Sequence, residues 1–190
     1  SGPTNQELPS YAHAVGAVYR NSDPSDIVVT AAGGLVGEVV QIWKPKELNT
    51  FETEWGFSCM SYEISGALGI KMAKPDQDVI VFVGDGSYLL QNSDIYSSVL
   101  YDKKLIIVVC DNGGHMVINR LQLAKGGKEY LCNLNAARAT NVQFVDFEAH
   151  AKSMGANGET VKSISELEVA FKRAKDSDKT YVISMKTDGY

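Results

Sequence analysis

At 190 residues the chain has room for a single compact domain with a two- or three-layer core, and its 44% apolar and 22% charged content is that of an ordinary globular protein. A net charge of −5 with no basic run argues against nucleic acid or an anionic membrane as partner. There is no membrane-length apolar run and no signal-peptide pattern at the start, and Cys59, Cys110 and Cys132 show no metal-ligand spacing; buried, reduced thiols in a cytoplasmic protein are the expectation.

Residues 1–9 are polar and irregular and read as a linker or cloning remnant. "YAHAVGAVYR" (11–20) carries Tyr11, Val15, Val18 and Tyr19 at helical spacing. "DIVVTAA" (26–32) predicts a short buried strand closed by Gly33-Gly34, and 36–43 resumes a helical pattern. Residues 60–73 predict a helix with Ser65, Gly66 and Gly69 on one face, small enough to lie close to a sheet. "DVIVFV" (78–83) is a second buried strand, 92–101 a helix, and "KLIIVVC" (104–110) a third strand ending in Asp111-Asn112-Gly113-Gly114. Residues 121–133 read as a mobile loop. A helix at 146–155, a short strand at "ETV" (159–161), a Ser-capped helix at 165–176 and a last strand at 180–187 complete the chain.

Strands apolar throughout, alternating with helices, predict an α/β three-layer sandwich with a mostly parallel sheet covered on both faces. Ligands of such sheets bind beyond the carboxyl ends of the strands. The glycine-rich stretches at 33–34, 84–86 and 113–114 each follow a strand, so all three belong on that edge.

Asp85 stands between Gly84 and Gly86 where a strand runs into a helix. The glycines admit close backbone approach, and the amides of Gly86 and Ser87 can hold a phosphate oxygen. Twenty-five residues separate Gly86 from Asn112, enough for one helix and one return strand, so a right-handed βαβ unit brings Asp85 and Asn112 together. Carboxylate, amide and carbonyl oxygens are hard ligands suited to Mg²⁺, with octahedral positions left over for phosphate oxygens and water. A P-loop or dinucleotide fingerprint is missing. Alone, GDG or Asn-Gly-Gly is most often just a turn; together at this spacing they indicate a metal-diphosphate site.

GDGS followed at this distance by Asn resembles the cofactor motif of thiamine diphosphate-dependent enzymes, and "WGFSCMSYEISGALGIKMA" resembles the stretch preceding it in their acetohydroxyacid synthase-like branch. Within the family, "SCMSYEI" and "GDGSYLLQNS" are most similar to the ring-opening hydrolases of inositol catabolism. The resemblance implies a thiamine diphosphate-binding fold, with residues 10–190 as the pyrophosphate-binding C-terminal domain. It implies Mg²⁺ on the Asp85 and Asn112 side chains and the Gly114 carbonyl. Diphosphate contacts would come from Gly33, Gly34, Leu35, Gly86 and Ser87, with backbone contacts to the diphosphate or its metal from His115 and Met116. Met60 matches the apolar residue that props the cofactor into its V shape, and the Ser58 carbonyl would accept from the aminopyrimidine. Two departures stand out: Asp111 replaces a frequent asparagine, and Gly113-Gly114 replace bulkier residues, leaving room for flexibility. Glu63, inside the helix after Met60, is read as structural and not as a catalytic acid or base.

No catalytic residue is expected in these residues, because the activating glutamate of the family belongs to a separate pyrimidine-binding domain. The chain thus reads as a fragment of a longer enzyme, able to hold Mg²⁺ and diphosphate weakly but not to turn over a small cyclic dione substrate. The missing domain would come from a second subunit of a homodimer or homotetramer. Two alternatives stay open: a synthase- or decarboxylase-type thiamine enzyme, and a non-catalytic nucleotide-binding or structural α/β module.

Overall fold

The computed structural model describes residues 8–138, 141 and 143–188, so most of the expected linker lies outside the described residues. Six strands form one sheet: β1 (Ile27–Thr30), β2 (Phe51–Thr53), β3 (Val79–Gly84), β4 (Ile106–Asp111), β5 (Asn157–Val161) and β6 (Tyr181–Lys186). Their order is β2-β1-β3-β4-β6-β5, and every neighbouring pair is parallel, where a mostly parallel sheet was expected. β1 and β4 are buried along their whole length and β3 along all but its last residue, which is why they read as unbroken apolar runs.

Strand alternation splits the core. On one face Val28, Ile80, Phe82, Ile106 and Val108 meet α1 (Tyr11–Asn21), α2 (Gly33–Ile42) and α8 (Ile164–Asp176). There Trp43 packs edge-on against Tyr19 and Phe82, with centroids 5.3 and 6.1 Å away. On the other face Val29, Val81, Ile107 and Val109 meet α3 (Tyr62–Ala73), α4 (Asp85–Leu90), α5 (Ser93–Leu100) and α7 (Phe147–Ser153). α1 and α8 start with serine caps: Ser10 accepts from the His13 amide and Ser163 from the Glu166 amide.

The structure corrects several expectations. β2 was not anticipated; it is a three-residue edge strand, incompletely buried, and too short to show alternation. α2 begins at Gly33 and not at Val36, with Gly33 at φ +79° turning the chain out of β1. Part of the stretch expected to be a loop is helical, in α6 (Met116–Ala124). On α3 it is Ile64, Ala67 and Leu68 that join the sheet-facing core, while Ser65 bonds Asp94 of α5 at 2.5 Å, Gly66 lies under the Tyr62 ring and Gly69 is exposed. Of the cysteines only Cys110 is buried, its thiol pushed up to about 12 by burial; Cys132 is half-buried and Cys59 exposed.

The chain leaves β1 toward β2 on one side and returns to β3 on the other, so the sheet reverses its winding between β1 and β3. A crevice opens beyond the carboxyl ends at such a point.

Candidate functional site

A cavity of about 310 Å³ occupies this crevice. Its walls are the tips of β1, β3 and β4 and the helices that follow them. Every site residue expected from the sequence lines it: Gly33, Gly34, Leu35, Ser58, Met60, Asp85, Gly86, Ser87, Asn112, Gly114, His115 and Met116.

Asp85 is only 5% exposed and has no ion-pair partner among the described residues. Burial, reinforced by the neighbouring Asp111 charge, pushes its carboxyl up to about 6 against the amides of Gly86 and Gly114, which favour the anion. Asp111 itself accepts from the Gly113 amide at 3.0 Å and pairs with Lys186, so it braces the turn and adds negative potential beside Asp85. The buried carboxylate is therefore set for a cation.

Asn112, the residue after β4, lines the same cavity. Its Nδ2 donates to the Tyr11 hydroxyl and its Oδ1 accepts from the Gly114 amide at 3.1 Å, which fixes the amide's orientation. Burial, with the Asp85 carboxylate nearby, raises the Tyr11 phenol well above its ordinary value. At Gly114 (φ +149°) a Cβ would sit 2.2 Å from the Cys132 carbonyl oxygen, so only glycine fits. The Gly113-Gly114 turn is not loose. His115 donates its amide to Cys132 O at 2.7 Å, Leu134 donates to Gly113 O at 2.9 Å, and Gly114 forms a bridge with Asn133. The amide of His115 is thereby committed, against the expected backbone contact with a diphosphate. Its imidazole faces the cavity instead: a Cβ on Gly86 would meet His115 Cε1 at 2.7 Å and Met60 Cε at 3.5 Å.

Glu63 is buried, with its carboxyl raised by burial. Its Oε1 accepts from the Ala32 amide (3.1 Å) and its Oε2 from the Ser87 hydroxyl (2.8 Å), while Ser87 Oγ accepts from the Ser61 amide at 2.6 Å. One carboxylate thus ties the exit of β1 to the starts of α3 and α4, a bracing role. With its hydroxyl so engaged, Ser87 has only its amide to offer a ligand. The start of α2 has no side-chain cap, which leaves its first-turn amides at Gly33, Gly34 and Leu35 for an anion. Ser58 (φ +52°) sits in a turn held by Glu54, whose carboxylate accepts from the amides of Phe57 (2.8 Å) and Cys59 (2.7 Å).

Tyr11 and Arg120 also line the cavity and were missed. Neither carries a local motif; Tyr11 reaches Asn112 from 101 positions away.

A lone buried carboxylate, an oriented amide oxygen and a glycine-only turn on adjacent strand tips suit a small hard cation, and the uncapped amides suit the phosphates it would carry. Residues 31–185 match the family described as thiamine pyrophosphate enzyme, C-terminal TPP binding domain, and the chain belongs to that family. Among curated relatives, the 3D-(3,5/4)-trihydroxycyclohexane-1,2-dione hydrolase of Bacillus licheniformis is 37% identical over 190 residues, covering 97% of this chain and 30% of the relative. Its namesake from Listeria innocua is 40% identical over 164 residues, covering 86% and 26%. The chain thus spans about 30% of the length of these relatives. A solved structure, the Rhodococcus jostii RHA1 thiamine diphosphate-dependent 4-hydroxybenzoylformate decarboxylase, superposes with a TM-score of 0.84 at 18% identity, covering 99% of this chain and 34% of that one, a likeness of fold.

Proposed function

We propose that this chain holds the Mg²⁺-diphosphate of thiamine diphosphate within a larger enzyme that opens the ring of 3D-(3,5/4)-trihydroxycyclohexane-1,2-dione by hydrolysis to 5-deoxy-D-glucuronate, in inositol catabolism. The observation that carries the cofactor reading is the unpaired, buried Asp85 beside the oriented amide of Asn112. The substrate reading is supported by relatives of that name at 37% and 40% identity.

Asp85, Asn112 and the Gly114 carbonyl would hold Mg²⁺. The amides of Gly33, Gly34, Leu35, Gly86 and Ser87 would take phosphate oxygens, Met60 would prop the rings, and the Ser58 carbonyl would accept from the aminopyrimidine. Bound there, the cofactor supplies the nucleophilic carbon and the electron sink for cleaving a bond beside a carbonyl. Met116, Val117 and Ile118 add apolar surface to the cavity lining. The activating glutamate comes from a pyrimidine-binding domain, supplied by a second subunit of a cytoplasmic homodimer or homotetramer. The rim supports that placement, with Phe57 90% and Trp55 58% exposed next to Ser58. Among the described residues no helix is long and apolar enough to cross a membrane.

Two experiments on the full-length protein test this. Calorimetric titration with thiamine diphosphate should show binding that requires Mg²⁺ and is lost in Asp85→Ala; metal-independent binding, or none, overturns the cofactor reading. Chromatographic assay of the cyclic dione should show 5-deoxy-D-glucuronate; turnover of 2-keto acids alone would instead favour the synthase or decarboxylase reading.

A further inference from the structure

Arg120 is the only lysine or arginine among the described residues lining the cavity, and it has no ion-pair partner among the described residues. It lies four positions after Met116 on α6, so both project on one face of that helix toward the cavity. Its guanidinium lies against the backbone of Gly34. A Cβ there would be 2.7 Å from Nη2 and 3.9 Å from Cζ, with Tyr11 Cε2 at 3.6 Å on the flank. Gly34 has no left-handed backbone, so what a side chain there would meet is the guanidinium itself, which would have to move aside. The guanidinium therefore stands beside the uncapped first-turn amides of α2.

Charge supplies the second half of the argument. A divalent ion on Asp85 leaves one net positive charge, with Asp111 already offset by Lys186, which falls short of what a diphosphate brings. Among the described residues no lysine in the lining closes that gap.

We propose that Arg120 is the cationic clamp on the cofactor's diphosphate, reaching it across Gly34 and sharing the anion with the start of α2. The proposal rests on the thiamine diphosphate reading. A planar guanidinium can give two parallel N–H donors to one phosphate, which a lysine cannot reproduce.

The test uses the full-length protein with Mg²⁺ present and two probes, thiamine diphosphate and inorganic pyrophosphate, titrated calorimetrically. Arg120→Gln should weaken both probes about tenfold or more and leave the melting temperature of the ligand-free protein unchanged, because the side chain is exposed and unpaired. Arg120→Lys should recover only part of the loss. Gly34→Ala should weaken pyrophosphate in the wild-type background, where the new methyl displaces the guanidinium, and much less in Arg120→Gln. If wild type binds both probes and Arg120→Gln binds them equally well, the clamp is overturned while the cofactor reading stands. Loss confined to thiamine diphosphate, with pyrophosphate unaffected, also overturns it, since the arginine then serves another part of the molecule. Wild type binding neither probe overturns the cofactor reading itself.

Discussion

The two edges of the sheet use charge in opposite ways. At the amino edge Asp26, Asp78 and Lys104 stand just before β1, β3 and β4, and Lys175 of α8 reaches three acids: Asp23 at 2.8 Å, Asp26 at 2.7 Å and Asp78 at 3.2 Å. Lys104 adds a 2.8 Å contact to Asp78. Against the cost of burial, these carboxylates raise the Lys175 ammonium, and the two lysines hold Asp78 below the usual carboxylate range; burial still pushes Asp26 up. At the carboxyl edge Asp111 has Lys186, but Asp85 has no cation among the described residues, and its carboxyl rises to about 6. The paired edge closes the fold, and the unpaired edge keeps a charge deficit for a ligand to fill. Buried ionised groups are tolerated only when compensated, so the deficit marks the functional edge.

The contrast breaks most severely at the paired edge. Lys175→Met strands the buried Asp26, while Asp78 keeps Lys104, and should cost about 3–5 kcal/mol in denaturant melts. Gly114→Ala forces a methyl into the Cys132 carbonyl and should cost about 2–4 kcal/mol while abolishing metal-dependent cofactor binding. The mirror experiment is Asp85→Asn, which should stabilise the metal-free protein at pH 7 by roughly 3 kcal/mol at most. The sign follows from the raised carboxyl: the folded state favours its protonated form. That contribution is fully present below about pH 4 and is lost as pH rises through about 6. Metal-free wild type, followed by thermal melts across that window, should therefore lose a component of stability that Asp85→Asn does not lose. The smallest effect belongs to Tyr11→Phe, which removes the partner of Asn112 Nδ2. It should weaken Mg²⁺ in the ternary complex about threefold to tenfold, with about 1 kcal/mol lost in unfolding melts.

What the sequence revealed, and what it concealed, divides along physical lines. β1, β3 and β4 announce themselves because burial on both faces demands nearly continuous apolar runs, and β6 through the apolar start Tyr181-Val182-Ile183. The strand tips announce themselves through glycines that close backbone approach requires, which is why spacing could bring Asp85 and Asn112 together, while Gly114 came only with the family resemblance. α6 stayed hidden because its start at His115 carries no side-chain cap and its end runs into Gly126-Gly127. Tyr11 and Arg120 stayed hidden because each arrives from an element whose own pattern is an ordinary helix, and only the packed structure turns them to the cavity. The imidazole of His115 stayed hidden for a related reason, since only the packed turn brings its ring against Gly86.

The central claim is that the tips of β3 and β4 share one cation. Crystals of the full-length protein grown with Mn²⁺ and thiamine diphosphate, measured at the manganese edge, test it directly. The expected result is a single anomalous peak within coordination distance of Asp85 Oδ and Asn112 Oδ1, absent from Asp85→Ala crystals. Cofactor density with the peak elsewhere, or with no peak, would contradict it.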